Sequence, residues 1–161
     1  MFYVKKGLLI LGALLLLIQL IRPAKNQNIN PQPNTLSTIL PVPVSLQKIW
    51  NTSCTDCHSN YTKYPWYANV MPVGWVLANH INEGKQKFNF DAFATYNKKK
   101  QLHKLEELSE VLQDNYMPMN SYTIFHKNAI LTEPQKNEIR IWVKQSLLTL
   151  LRDSIAALAK K

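Results

Sequence analysis

The stretch Cys54-Thr55-Asp56-Cys57-His58 decides the interpretation of this chain, because it contains both of the cysteines in the sequence. Two cysteines three positions apart in a helical turn project from one face. They are placed to form thioethers with the two vinyl groups of one haem, and the next residue, His58, can offer an imidazole nitrogen to the iron as proximal ligand. The spacing C-x-x-C-H therefore predicts one covalently attached haem c, bound through Cys54, Cys57 and His58.

Three other kinds of site share a C-x-x-C pair. A structural zinc site needs four protein ligands, and here there is neither a second cysteine pair nor an H-x(3–5)-H pair. A thioredoxin-like redox pair belongs in a βαβ context, which the sequence does not show. A disulfide between residues three apart closes almost no loop and would stabilise little. These alternatives are weaker than haem attachment.

The N-terminus carries a hydrophobic segment. Lys5 and Lys6 precede the stretch from 7 to 21, which is apolar except for Gln19. With its flank the segment approaches the ~20 residues that span a bilayer, and its core also fits the apolar region of a cleavable signal peptide. Arg22 stands where a cleavage site needs a small residue, so residues 1–25 are predicted to be an uncleaved signal anchor in the inner membrane. The lysines favour a cytoplasmic N-terminus and a periplasmic body.

Residues 26–44 contain four of the nine prolines, at positions 31, 33, 41 and 43. This density of proline and asparagine is typical of an extended linker. One interpretation is a spacer that holds a domain away from the membrane. The other is an arm that lies along the domain, since Leu36, Leu40 and their apolar neighbours could dock.

The remaining chain is predicted to be one all-α domain over residues 45–152, followed by a basic tail at 153–161. Apolar spacing predicts helices over 73–83, ending before Gly84, and around 102–112. Thr132-Glu133-Pro134-Gln135 has the pattern of a capping box and predicts the start of a long C-terminal helix. No segment alternates as a strand would.

The net charge of the chain is +9, and the densest basic run is Lys98-Lys99-Lys100 with Lys104 close behind. Such a run is either a docking face for an acidic redox partner protein or a solvated surface. No nucleic-acid-binding module is recognisable, so nucleic acid is not an expected partner. The sequence does not indicate an oligomeric state.

The second axial ligand of the iron is predicted to be Met117. A Met-Pro step between two helices commonly supplies a thioether ligand in cytochromes c, and Pro118 stiffens the loop. His80, among apolar residues of a predicted helix, is the alternative ligand. Met119 and Met71 are weaker candidates, and the ordinary role of any of these methionines is core packing.

Aromatic residues cluster after the motif. Tyr64, Trp66 and Trp75 are interpreted as part of the wall of the cofactor pocket, where their O–H and N–H groups could reach haem propionates. Ordinary aromatic core packing is the other interpretation.

Beyond the motif, a longer set of residues resembles a known family. The run C-x-x-C-H-S-N-x-T-x-Y-P-W-Y occupies residues 54–67, and further matching positions continue to the predicted C-terminal helix: Pro72, Trp75, His80, Glu83, Gly84, Asn89, Phe90, Met117, Pro118, Tyr122, His126, Leu131, Thr132 and Trp142. Together they resemble the haem-binding-domain family of small, bacterial, c-type-cytochrome-like proteins. The resemblance covers about residues 46–143 and implies a compact, cytochrome-c-like helical domain with one haem. Met119 stands where the pattern would have a second proline.

Two functions fit these observations. The first is a membrane-tethered electron carrier with a six-coordinate haem, which the Met117 candidate and the short chain favour. The second is a haem-based sensor of small molecules, or a peroxidase-like enzyme, with a labile sixth ligand. The sequence shows no constellation of catalytic residues, so a carrier is favoured over an enzyme.

Overall fold

A computed structural model describes residues 2–159 of the chain, and in this range the predicted all-α class is confirmed. The only β pairing among these residues is an isolated bridge between Gln27 and Tyr61. Seven α-helices occur in the range: α1 Phe2–Leu17, α2 Val44–Ser53, α3 Thr55–His58, α4 Val73–Lys87, α5 Lys98–Gln113, α6 Asn120–Thr123 and α7 Glu133–Leu158.

The N-terminal helix is not buried against the rest of the described chain. α1 continues into a 3-10 turn at Ile18–Leu20, and the stretch Tyr3–Leu20 is 18 residues long, apolar and not buried. At 1.5 Å per residue it measures about 27 Å, close to the ~30 Å hydrocarbon core of a bilayer. It is therefore long and apolar enough to be a membrane anchor or a signal sequence.

The end of this stretch is fixed to the domain. The side-chain amide of Gln19 donates to the carbonyl of Met71 at 2.9 Å and accepts from the Met71 N–H at 2.9 Å. The indole N–H of Trp75 donates to the carbonyl of Ile21 at 2.7 Å. The chain thus reaches the domain directly at the end of the hydrophobic segment.

Residues 26–44 are packed along the domain. The carbonyl of Asn26 accepts from the Thr62 N–H at 2.8 Å, and Leu36 and Leu40 are each only 1% exposed. A 3-10 helix at Leu36–Thr38 interrupts the segment, and the Leu40 N–H donates to the carbonyl of Leu36 at 3.0 Å, so both leucines belong to one turn. Residues 26–44 therefore form the docked arm of the second interpretation rather than a spacer.

The core is built where the arm, α2, α5 and α7 meet. The Trp50 ring lies 5.0 Å from that of Phe90 and 4.9 Å from that of Trp142. Further apolar side chains close the core around this aromatic centre: Leu46, Phe93, Leu105, Leu112, Ile139, Val143 and Leu150. The indole N–H of Trp142 donates to the carbonyl of Pro41, which ties the arm to the core.

Helix ends match the sequence pattern in one case and differ in two. α7 begins with the predicted capping box between Thr132 and Gln135. α4, however, runs through Gly84 to Lys87. α7 also continues to Leu158, so most of the predicted tail at 153–161 is helical; residues 160 and 161 lie outside the described range.

We expect Leu36→Ala to destabilise the protein, because it leaves a cavity in the core. Leu→Ala changes at buried sites cost about 2–5 kcal/mol in the free energy of unfolding. Ile29→Ala in the same arm is the matched control, since Ile29 is 86% exposed and surface changes stay within about 0.5 kcal/mol. The measurement is chemical unfolding of the full chain in detergent. Equal effects of the two variants would show that the arm is not packed as described.

Candidate functional site

The C-x-x-C-H motif forms a helical turn of its own. α2 ends at Ser53, and Cys54 leaves the helical conformation with φ −129° and ψ −45°. The carbonyl of Cys54 then accepts from the N–H groups of Cys57 and His58 at 3.2 and 3.0 Å. This break places α3 beside α4 and leaves Cys54, Cys57 and His58 half-buried.

One hydrogen bond orients the imidazole of His58. Its Nδ1 lies 2.8 Å from the carbonyl oxygen of Phe88. A carbonyl only accepts, so Nδ1 carries the proton and Nε2 keeps its lone pair. Burial lowers the pKa of His58, against the raising effect of its backbone hydrogen bonds to Phe88 and Gly84. The ring is therefore neutral at neutral pH and in the tautomer that ligates a metal through Nε2.

Two adjoining cavities open beside His58, of about 440 Å³ and 230 Å³. Both are lined by Cys54, His58 and Met117, so they form two lobes of one cleft. The larger lobe has mostly apolar walls: Phe88, Phe90, Leu108, Val111, Leu112, Pro118, Leu131 and Ile139. A cleft of this kind suits a large apolar cofactor that is attached at the motif.

The environment of the cysteines does not fit dithiol chemistry. They are not joined by a disulfide. Burial, and then the neighbouring Cys57, raise the pKa of Cys54 to about 12. Burial, and then the charge of Asp56, raise the pKa of Cys57 to about 11. Both thiols are therefore protonated at neutral pH, whereas thiol–disulfide exchange requires a thiolate.

A protein-built zinc site is not assembled either. Within residues 2–159, no three histidine, cysteine, aspartate or glutamate side chains converge where they could share a metal ion. A structural zinc needs four such ligands. The donors that remain suit a haem: two thiols for attachment, a neutral imidazole for the iron, and a thioether in the same cleft.

The candidate sixth ligands differ in how they line the cleft. Met117 lines both lobes, whereas His80 and Met119 line only the smaller one. Met71 is buried elsewhere, with its side chain against Gly74. The cleft thus brings Met117 and His80 together with His58. Met117 lines more of the cleft than His80 does.

The loop that carries Met117 is connected to the motif through Asp56. The hydroxyl of Tyr122 donates to Asp56 Oδ2 at 2.7 Å, and the N–H of Lys63 donates to Oδ1 at 3.0 Å. Burial, and then the bond to Asp56, raise the pKa of Tyr122, so Tyr122 stays protonated as a donor. The ring of Tyr122 also stacks on His126 at 4.2 Å. These contacts hold residues 117–122 against the turn of the motif.

Gly84 allows α3 and α4 to approach closely. A Cβ at this position would lie 2.6 Å from the carbonyl oxygen of Cys57 and 3.1 Å from its Cβ. Any larger residue would push the motif away from α4. Gly84 is therefore a contact residue of the site, and not the end of the helix that the sequence pattern predicted.

Three aromatic residues predicted at the cofactor do not line the cleft. The hydroxyl of Tyr64 accepts from the Asn26 N–H at 2.8 Å, Trp75 binds the Ile21 carbonyl, and Trp66 is 80% exposed. Tyr64 and Trp75 hold the segment that leads out of α1. The cofactor role of these three residues stays a prediction.

Several residues of the cleft were not singled out from the sequence. Lys104 was assigned to a surface run, but its side chain is largely covered, pairs with Glu107 and lines the larger lobe together with Lys87. Outside the cleft, in the core, Trp50 precedes the motif by one helical turn, and its Nε1 is the one buried side-chain nitrogen or oxygen without a hydrogen-bond partner in the described part of the chain. Leu108 and Val111, from the predicted third helix, could have been recognised by their apolar spacing.

Comparison with known proteins places this geometry in a family. The family model described as a haem-binding domain matches residues 13–145, a range that includes the arm, the motif and both lobes of the cleft. No curated protein and no solved structure matches the chain. The matched range covers most of the 161 residues, and the resemblance seen in the sequence is confirmed: the chain belongs to the haem-binding domain family.

Proposed function

We propose that this haem-binding protein is a membrane-anchored, mono-haem c-type cytochrome that carries single electrons on the periplasmic side of the inner membrane. The observation that carries the proposal is the convergence of Cys54, Cys57, His58 and Met117 on one mostly apolar cleft. This donor set contains an attachment point and two axial ligands of the kind that cytochromes c use.

Covalent attachment follows from the two thiols. Each S–H adds across one vinyl group, so that a sulfur–carbon bond forms and the thiol hydrogen moves to the neighbouring vinyl carbon. No oxidant is required. The protonated state of the two thiols is the state that carries this hydrogen, and both cysteines line the smaller lobe.

His58 and Met117 would hold the iron. His58 is already oriented by Phe88, so its Nε2 needs no reorganisation to bind. Met117 would supply a thioether, which raises the reduction potential relative to two histidines. When bound, the haem supplies an iron that accepts one electron from a reduced donor protein and passes it to an oxidised acceptor. The apolar walls around Leu108 and Leu131 exclude water from this centre.

Two lysines would balance the charge of the cofactor. Lys87 and Lys104 line the larger lobe together with Glu110 and with Glu107, which pairs with Lys104, among otherwise mostly apolar residues. An ammonium group there can pair with a propionate carboxylate. This assigns to Lys104 a role inside the site, and leaves Lys98, Lys99 and Lys100 as the exposed basic run for a redox partner.

The position in the membrane rests on the N-terminal segment. Tyr3–Leu20 would act as an uncleaved anchor, with Lys5 and Lys6 on the cytoplasmic side. The haem domain would then lie in the periplasm, where attachment of c-type haem takes place.

Removal of the thiols tests the covalent bond. We expect Cys54→Ala and Cys57→Ala each to lower the amount of haem that remains with the chain in a denaturing gel, and the double variant to lose it, because no sulfur is left to form a thioether. The chain is produced in a host with c-type maturation and stained for haem. Thr55→Ser, in the same turn, is the control and should match the wild type. Haem that stays bound in the double variant would contradict covalent attachment.

Replacement of Met117 tests the sixth ligand. Met117→Ala should abolish the near-infrared band of methionine bound to ferric iron and lower the reduction potential, because a weaker or different ligand takes its place. Met119→Ala and His80→Ala are controls that should keep the band. A band that persists in Met117→Ala and disappears in Met119→Ala would contradict the proposal and identify Met119 as the sixth ligand.

The same preparation distinguishes a carrier from a sensor. Carbon monoxide should bind slowly and incompletely to the reduced wild type, since Met117 occupies the sixth position. Rapid and complete binding by the wild type would contradict the carrier and favour a labile sixth ligand.

A further inference from the structure

An exposed apolar surface lies next to the point where the chain leaves α1. It consists of Trp66, Val70, Val73, Val76 and Phe125, which we call the apolar patch. All five are more than 40% exposed, and Trp66 and Phe125 reach 80% and 66%. Tyr67 connects the two aromatic members, since its ring lies 5.9 Å from Trp66 and 4.9 Å from Phe125. Val70 is extended and precedes α4, and Val73 and Val76 lie in the first turn of α4, one helical turn apart.

The apolar patch is fixed relative to the anchor. Met71, between Val70 and α4, shares two hydrogen bonds with Gln19. Trp75, between Val73 and Val76, binds the carbonyl of Ile21. The residues held by the end of the anchor are thus sequence neighbours of the three valines of the patch.

The anchor is about as long as the hydrocarbon core of a bilayer is thick, so its end lies close to the membrane surface. The 18-residue stretch Tyr3–Leu20 spans about 27 Å, slightly less than the ~30 Å hydrocarbon core. If the stretch crosses the bilayer, Gln19 and Ile21 lie at the boundary of the hydrocarbon, and the backbone of Met71 lies there with them. The neighbouring patch cannot then stand far from the lipid.

The chemistry of the surface fits that position. Tryptophan is enriched where hydrocarbon meets headgroups, and exposed apolar patches rimmed by polar residues mark interaction sites. Lys25, whose ammonium lies 5.3 Å above the Tyr64 ring, and Arg22 follow the anchor directly and can meet anionic headgroups. We propose that the apolar patch is inserted into the headgroup region of the bilayer, so that the domain rests on the membrane instead of being held away from it. This inference rests on the proposed membrane anchor.

The arrangement has a consequence for the haem site. α4 begins at Val73, in the patch, and ends at Lys87, in the wall of the cleft. At 1.5 Å per residue these two positions are about 21 Å apart along the helix axis. The patch and the larger lobe of the cleft therefore occupy opposite ends of α4, which leaves the cleft available to a partner protein while the patch contacts lipid.

The test is fluorine NMR of the full chain, labelled with 5-fluorotryptophan and inserted into nanodiscs of phosphatidylcholine and phosphatidylglycerol, with the iron kept reduced. The chain has four tryptophans, and Trp66→Phe assigns the signal of Trp66. Relaxation of each signal is measured with a doxyl-labelled lipid and, separately, with a water-soluble gadolinium chelate. Trp50 and Trp142 are internal controls, because they are only 6% and 4% exposed.

We expect the doxyl lipid to broaden the Trp66 signal severalfold more than the signals of Trp50 and Trp142, and the gadolinium chelate to leave Trp66 largely unaffected. Strong broadening by the chelate without an effect of the lipid would overturn the proposal, because the patch would face water. Protection from both agents would also overturn it and would indicate a cover of protein, such as a second copy of the chain. Haem content is measured from the absorbance of the same sample. The result for Trp66 can therefore be interpreted even if the haem assignment fails.

Discussion

The imidazole of His58 is oriented by a hydrogen bond from Nδ1 to the carbonyl of Phe88, and the site is arranged around that constraint. The bond joins the turn of the motif to the segment that follows α4. Phe88 and the nearby Phe90 continue from there into the core, where Phe90 packs on Trp50. Gly84 completes the contact, because only a residue without a side chain lets Cys57 lie so close to α4. The proximal side of the site is thus positioned by the core itself.

The opposite side of the cleft depends on a second connection. Tyr122 donates to Asp56, so the loop that contains Met117 is held against the same turn that contains the cysteines. A small domain with a cleft of this size buries less apolar surface than a solid core would, and a bound haem would compensate for that. The docked arm contributes Leu36 and Leu40 to the core. The Nε1 of Trp50 in the same core has no hydrogen-bond partner among the described residues.

The sequence predicted those features that depend on local pattern. The spacing of Cys54, Cys57 and His58, the apolar N-terminal segment and the capping box at Thr132 each involve residues that are close in the chain. Features that join distant residues were missed. The bond between Asp56 and Tyr122 connects residues 66 positions apart, and no periodicity indicates it. Gly84 resembled a helix end because glycine serves both for helix ends and for close contacts. Trp75 was interpreted as part of the pocket wall because it follows the motif, whereas its indole N–H donates to the carbonyl of Ile21, 54 positions away.

The central claim is that one haem is bound covalently through the motif, and the pyridine haemochrome spectrum tests it most directly. The full chain is produced in a host that carries a c-type maturation system and is purified in detergent. We predict the spectrum of a haem whose two vinyl groups have been converted to thioethers, at one haem per chain. A spectrum with intact vinyl groups would show that the haem is bound without attachment, and the absence of haem would contradict the account of the site.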